Sequence, residues 1–340
     1  MNKFINLNKD EQKVYFEQVG ASMGLNFTYV EKDFWVCWVL SVLFSRSDLK
    51  NNLTFKGGTS LSKVWGAIKR FSEDIDLTIN REFLGFTGES SPENAVSNNK
   101  RKVALKRLRE ACQGFVSNDL LTSLNADFKS KLPKHLNWSL KLDKDDADMQ
   151  TLLFEYPTCW DRAEGNYVRP VIKLEFGARS DPWPALEKVV KSFVATEYPN
   201  AFMEVEINVL AVKAERTFWE KVMLIHEERF RPDDKKRALR MARHYYDLWS
   251  LMQSEIGERA IADDKLFNSV KLHREVFFRI TWVDYTTLTK GKLKLLPLEK
   301  HIEWWKKDYE DMSEMFLGDA PTFDEILASI TSLEIMINKS

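Results

Sequence analysis

Two aspartates, Asp74 and Asp76, sit in the run Asp74-Ile75-Asp76-Leu77-Thr78-Ile79, which alternates polar and apolar residues with the period of a half-buried strand. Side chains two apart leave the same face of a strand, so the two carboxylates stand side by side and repel unless a cation lies between them. Mg²⁺, a hard ion that prefers oxygen ligands and shares its shell with substrate phosphates, answers that repulsion. Upstream, Gly57-Gly58 ends the short β-prone run Leu53-Thr54-Phe55-Lys56, and from Thr59 the pattern SLSKVWGAIKR has helical spacing, with Leu61, Val64, Trp65 and Ile68 on one side. Two glycines at a strand-to-helix turn let the backbone approach a ligand closely. The free N–H groups of the helix that starts near Thr59 and Ser60 offer a site to an anion such as phosphate. Alone, a GG turn is usually structural and a DxD usually a solvated strand end. Joined in one strand–turn–helix–strand unit, they favour nucleotide and metal binding.

A third carboxylate should complete such a site from a neighbouring strand, and Glu175 in Val171-Ile172-Lys173-Leu174-Glu175-Phe176 is the best candidate. It would be a metal ligand or the base that takes a proton from an attacking hydroxyl. The plainer reading is a surface residue that pairs with Lys173 on the same strand face.

The elements that must position these residues read as an α+β fold. Thr28 and Glu31 have capping-box spacing and open the apolar run FWVCWVLSVLF. The stretch from Phe34 to Phe44 is too short to cross a bilayer and reads as a buried helix. Residues 82–95 are loop-like. Lys100 to Val116 forms an amphipathic helix with Leu105, Leu108, Cys112 and Phe115 inward, and β-like runs follow at Trp138 to Leu142, Leu152 to Tyr156 and Val168 to Phe176. Strands joined by loops suggest a mixed or antiparallel sheet flanked by helices. From about residue 210 the spacing is helical, through AVKAERTFWEKVMLIHEE and KRALRMARHYYDLWSLM to a last helix at Phe323 to Ile337. The expected division is an α/β domain over 1–210 and a helical domain over 211–340, with the boundary at 205–212.

Composition narrows the function. Lys+Arg 50 against Asp+Glu 51, a net charge of −1, excludes a globally basic binder, so any nucleic acid must meet local patches. Arg229, Arg231, Lys235, Lys236, Arg237, Arg240 and Arg243 form one such patch, opposed only by Asp233 and Asp234. Lys100 to Arg109 holds six basic residues and no acid, and Trp304-Trp305-Lys306-Lys307 sets aromatic rings beside positive charge. Basic helix faces are most often solvated surface. Three scattered cysteines support neither a disulfide framework nor a zinc site. The opening MNKFINLNKDEQ lacks the pattern of a secretory signal, and a cytoplasmic protein with no membrane partner is expected.

GGTSL followed by RFSEDIDL resembles the signature of the AbiEii/AbiGii family of nucleotidyltransferase toxins, which includes the MenT toxins, within the DNA polymerase β-like nucleotidyltransferase superfamily. Glu215-Arg216-Thr217-Phe218-Trp219-Glu220-Lys221, Arg243-His244-Tyr245-Tyr246-Asp247-Leu248 and Glu31-Lys32-Asp33 resemble further family motifs, so the likeness runs from about residue 28 to 250. The resemblance implies that Gly57, Gly58, Thr59 and Ser60 hold an NTP triphosphate, with Lys56 beside them. It implies that Asp74 and Asp76 bind Mg²⁺ and that Glu175 is the third acid. Lys221 would reach the phosphates from the helical domain, with Asp247 beside it in the cleft. Ser72 stands where some family members are silenced by phosphorylation, and a phosphate there would set negative charge against the metal carboxylates. His244 departs from the family by replacing a frequent aspartate. Read without the family, Lys221 is a solvated lysine on a helix whose Phe218, Val222 and Ile225 face inward. Asp247 is then a core-edge carboxylate bonded to a tyrosine or to Arg243, and His226 and His244 are packing residues.

The resemblance thus implies the toxin of a toxin–antitoxin or phage-defence pair, with a cognate protein antitoxin. Such an enzyme transfers nucleotidyl groups from an NTP to RNA, the tRNA 3′ acceptor end foremost, and stops translation; the basic patch from Arg229 to Arg243, next to Asp247, is then the preferred RNA-binding track. A terminal hydroxyl would attack the α-phosphorus in line, Mg²⁺ at the acidic cluster would stabilise the developing charge, and pyrophosphate would leave toward Gly58–Ser60 and Lys221. The alternatives are transfer to a protein or small-molecule hydroxyl, and a non-catalytic module that binds RNA or a partner.

Overall fold

The computed structural model describes residues 1–72, 74–160 and 169–339, which divide into two compact units. The first comprises Met1–Val64 and Phe71–Val212, the second Trp65–Arg70 and Lys213–Ser340.

In the first unit, helices α1 (Asn2–Ile5), α2 (Lys9–Met23) and α3 (Phe27–Ser45) precede β1 (Leu53–Lys56), α4 (Gly57–Lys63) and β2 (Ile75–Ile79). Then come α5 (Asn98–Gly114), α6 (Leu121–Lys131), β3 (Ser139–Leu142), β4 (Thr151–Glu155), β5 (Val171–Gly177), β6 (Ala185–Val190), α7 (Phe193–Glu197) and β7 (Ile207–Val212). The seven strands form one sheet in the order β3-β4-β5-β2-β1-β7-β6. β2 runs parallel to β5 and β1 parallel to β7, while the other neighbours are antiparallel, so the sheet is mixed and the fold is α+β, as expected.

Helix α3 carries the apolar run and is buried on nearly every side, from Val30 to Leu40 without a break. Its N-cap is not the expected Thr28. Asn26 Oδ1 accepts from the Thr28 N–H at 2.9 Å, which frees Glu31 from capping. Three consecutive charges of α3 are instead tied to three places. Glu31 accepts from Thr158 Oγ1 (2.8 Å) and the Cys159 N–H (2.6 Å), Lys32 donates to the Arg169 carbonyl (3.2 Å), and Asp33 accepts from the Phe193 N–H (2.7 Å) and pairs with Lys63 of α4 at 2.5 Å. Burial works against both charges of that last pair, yet the Asp33 carboxylate holds Lys63 protonated above its ordinary value. α3 thereby fixes α4.

α4 ends at Lys63, earlier than its sequence pattern extends. Gly66 takes a positive φ of 58°, and residues 65–70 leave the first unit for the second, where Leu317 N–H donates to the Lys69 carbonyl at 2.9 Å and Arg70 bridges Phe316. The expected helix from Lys100 starts at Asn98, capped by Ser97, and continues through a π-helical stretch at Phe115–Leu120 into α6. Leu108 and Cys112 face inward, while Leu105 and Phe115 are only half-buried. β6 and β7 were not expected. The apolar run INVLAV of β7 sits where helical spacing takes over, and a short apolar run alone does not separate strand from helix. Val168, the expected start of β5, lies outside the described residues.

The second unit holds α8 (Ala214–Arg229), α9 (Arg243–Met252), α10 (Glu255–Ala262), α11 (Asp264–Phe277), α12 (Ile302–Glu310) and α13 (Phe323–Lys339). KRALRMA, expected to be helical, is irregular: Arg240 has φ 62°, and the Asp308 carboxylate accepts from the N–H groups of Arg240 (2.6 Å) and Ala242 (2.7 Å). No helix among the described residues is long and apolar enough to cross a membrane.

Candidate active site

β1, α4, β2 and β5 bring the first-unit candidates together. In the ladder Lys56 faces Asp76 across the β1–β2 pair, and Asp76 faces Glu175 across the β2–β5 pair. Ile172, Leu174 and Phe176 point into the core, so Lys173 and Glu175 lie on the outer face of β5. Lys173 makes its ion pair with Asp143 at 3.6 Å. The surroundings of Glu175 are therefore acidic. The protein around it, then Asp76, then Asp74, push it up to about 7, against the pull of Lys173 and Lys56. Three mutually repelling carboxylates at a strand edge are a set of hard oxygen donors, the donor type a divalent cation takes. No three His, Cys, Asp or Glu side chains among the described residues are gathered tightly enough to hold an ion by themselves.

Gly57 is needed for a reason different from the one its motif suggests. Its φ is +76°, and a Cβ there would stand 1.9 Å from Asp76 Oδ2 and 2.7 Å from its Cγ. The close approach is to the protein's own carboxylate. Replacing Gly57 with alanine will cost about 1–2 kcal/mol in backbone strain and push the Asp76 carboxylate aside. An ångström-scale displacement of a reacting group costs about a hundredfold in rate, so labelled-nucleotide transfer by Gly57→Ala should fall by at least that much while its melting temperature drops only a few degrees.

Thr59 and Ser60 are buried, at 1% and 2% exposure, so their side chains face into the unit. The Thr59 hydroxyl donates to the Asp74 carbonyl at 2.5 Å and shares a hydrogen bond with Ser72 Oγ at 3.0 Å, tying the first turn of α4 to the strand that carries the aspartates. Among the described residues the Ser60 hydroxyl has no hydrogen-bond partner, and no side chain caps the N-terminus of α4.

In the second unit, Lys221 and Asp247 meet over a third residue. Asp247, fully buried, accepts from Arg70 Nε (2.7 Å) and Nη2 (2.9 Å) and pairs with Lys221 at 2.7 Å. Burial opposes its charge, but the two cations win and hold its carboxyl well below the ordinary range. Burial lowers Lys221, and it lowers the adjacent His244, 3.4 Å away, far enough to keep that ring neutral. Arg70 was not legible as a partner, and Arg243, the expected one, is not bonded to Asp247. Of the basic run, Arg231 is spent on Glu228 (2.7 Å), while Arg237 lies against Trp304 and Trp305 and bonds His301 at 3.1 Å. Lys235, Lys236 and Arg240 remain exposed, and Arg229 and Arg243 are half-buried. His226 is a packing residue: Nδ1 accepts from the Lys294 N–H and Nε2 bonds Thr287.

A glycine-turned helix beside carboxylates on two adjacent central strands is a layout that suits a nucleotide-handling enzyme. Residues 38–329 match the family described as Nucleotidyl transferase AbiEii toxin, Type IV TA system; the chain belongs to this family and is a nucleotidyltransferase. Enzymes of this kind use NTP and a divalent metal, and a type IV system implies a protein antitoxin as partner. Among solved structures the chain is similar to MenT4, a nucleotidyltransferase toxin from Mycobacterium tuberculosis H37Rv, with 16% identity, 91% of each chain covered and a TM-score of 0.41. No curated protein matches the chain.

Proposed function

We propose that this toxin transfers a nucleotidyl group from an NTP to a terminal hydroxyl of RNA, foremost the tRNA 3′ acceptor end, in a Mg²⁺-dependent reaction that blocks translation. The observation that carries the reading is the ladder register Lys56–Asp76–Glu175, with Asp74 two residues before Asp76, just ahead of β2, and Gly57 cleared for the Asp76 carboxylate. Asp74 and Asp76 are the residues to hold the ion, whose bound charge would neutralise that developing on the transferred phosphoryl group. Glu175, which faces Asp76 across the β2–β5 pair, is the carboxylate left to accept the proton of an incoming hydroxyl. Because Thr59 and Ser60 are buried, the backbone N–H groups of Gly57 to Ser60, with Lys56, are the groups left to hold the triphosphate. A phosphate on Ser72 would break its bond to Thr59 and place negative charge next to Asp74, which makes it an off switch.

The test is to incubate the chain with each α-labelled NTP, Mg²⁺ and total cellular RNA and protein, with and without EDTA. Label is expected in the tRNA fraction alone, and only without the chelator. Label in protein, or label that persists in EDTA, would reject the acceptor or the metal respectively.

A further inference from the structure

One charged surface of the first unit is left unused by the site. α5 buries Leu108 and Cys112 and turns Lys100, Lys102, Lys106, Arg107 and Arg109 to solvent, with Val103 exposed among them. Lys106 pairs with Glu110 at 3.7 Å and Arg109 with Asp148 at 3.5 Å, both between exposed side chains, so both pairs are weak. Lys100, Lys102 and Arg107 have no ion-pair partner among the described residues. Lys102, Lys106 and Arg109 are spaced four and three apart, so they form one stripe along the helix, about 10 Å long.

The helix that carries the stripe is tied to the strand that carries Glu175. α5 packs on β5. The Arg109 carbonyl accepts from Gln150 Nε2 at 3.3 Å, and the Gln150 carbonyl accepts from the N–H of Phe176 at 3.0 Å, the residue after Glu175. Gln150 is itself buried. The basic face is thus held at a fixed distance from the acidic edge of the same sheet. A polyanion whose reactive end lies at Glu175 is the occupant that this charge stripe complements.

We propose that the exposed face of α5 is the track for the acceptor strand: Lys102, Lys106, Arg107 and Arg109 bind the phosphates of single-stranded RNA upstream of the 3′-hydroxyl presented to the carboxylate edge. This rests on the RNA-acceptor reading and deepens it, and it moves the principal contact away from the loop after α8, where Arg231 and Arg237 are engaged internally. Phosphate contacts of this kind position a strand without reading its sequence.

The test measures binding apart from transfer. In the full-length Asp76→Asn background, fluorescence anisotropy follows a labelled single-stranded RNA of about twelve nucleotides, with a free 3′-hydroxyl, across a salt series. The triple variant Lys102→Glu/Lys106→Glu/Arg107→Glu should lose about tenfold or more in RNA affinity, and its slope of log affinity against log salt should be shallower by about 2, three contacts at ~0.7 each. The corresponding triple glutamine variant, which avoids setting Glu beside Glu110, should show the same loss of slope. Affinity for labelled NTP should stay unchanged in both. Salt series that superimpose for the parent and both variants overturn the track. If the parent binds no RNA while the wild-type chain still labels RNA, the track is also wrong and the acceptor reading stands. If label goes to protein instead, both fall.

Discussion

Asp76→Asn will abolish nucleotidyl transfer, by about a thousandfold or more, in a chain that melts no lower than the wild type. Asparagine keeps the shape of aspartate, so the contact with Gly57 and the strand pairing survive. What it removes is a negative charge facing Glu175. In the free protein that charge is a burden: it helps push Glu175 up to about 7. Relieving like-charge repulsion at a partly solvated edge stabilises by a few tenths of a kcal/mol, on the order of 0.5. Activity and stability therefore move in opposite directions, as expected where a fold holds mutually repelling groups for a ligand. Labelled-nucleotide transfer and a thermal melt without metal check the two halves. Transfer within tenfold of wild type would remove Asp76 from the site, and a melt lowered by several degrees would mean that the carboxylate is structural.

The same pair of aspartates shows how far the sequence reaches. Alternation along Asp74–Ile79 and Val171–Phe176 was enough to put Asp76 and Glu175 on the strand faces opposite Ile75 and Leu174, because a period of two is a local property. That β2 and β5 are neighbours, and parallel, is not local, and only the assembled sheet decides whether Glu175 faces Asp76 or pairs with Lys173. Gly57 was legible as a turn residue but not as the residue that makes room for Asp76, since that approach exists only once β1 and β2 pair. Thr59 and Ser60 read as the start of a helix whose free N–H groups meet an anion. Their burial follows from α4 starting at Gly57, two residues earlier than its pattern suggests. Glu31, Lys32 and Asp33 could be matched to a motif but not explained, because their partners lie at Thr158–Cys159, Arg169, Lys63 and Phe193.

Asp247→Asn will be the most damaging single substitution for stability, and here the charge balance has the opposite sign. One fully buried carboxylate serves two cations, Arg70 and Lys221, whose own side chains are 3% and 9% exposed. Asparagine fits the space but takes away the buried charge that both cations share, in a site where His244 is already kept neutral. Removing one partner of a buried ion pair costs about 3–5 kcal/mol, whatever the pair itself contributes. For a unit of this size that is a fall of about ten degrees in melting temperature. The buried charge balance makes a second, sharper demand. Burial already lowers Lys221, so it is the more weakly held of the two cations, while Arg70 has the bidentate contact. Lys221→Met alone leaves the Arg70–Asp247 pair neutral and bonded, and it should destabilise far less than Asp247→Asn. Placed on top of Asp247→Asn, it removes one of the two cations that Asp247 balanced and should recover part of the loss, giving a coupling of at least about 1 kcal/mol in the double-mutant cycle. Purely additive effects would show that Lys221 does not depend on Asp247, and the buried charge balance would then not be what holds Arg70, Lys221 and Asp247 together.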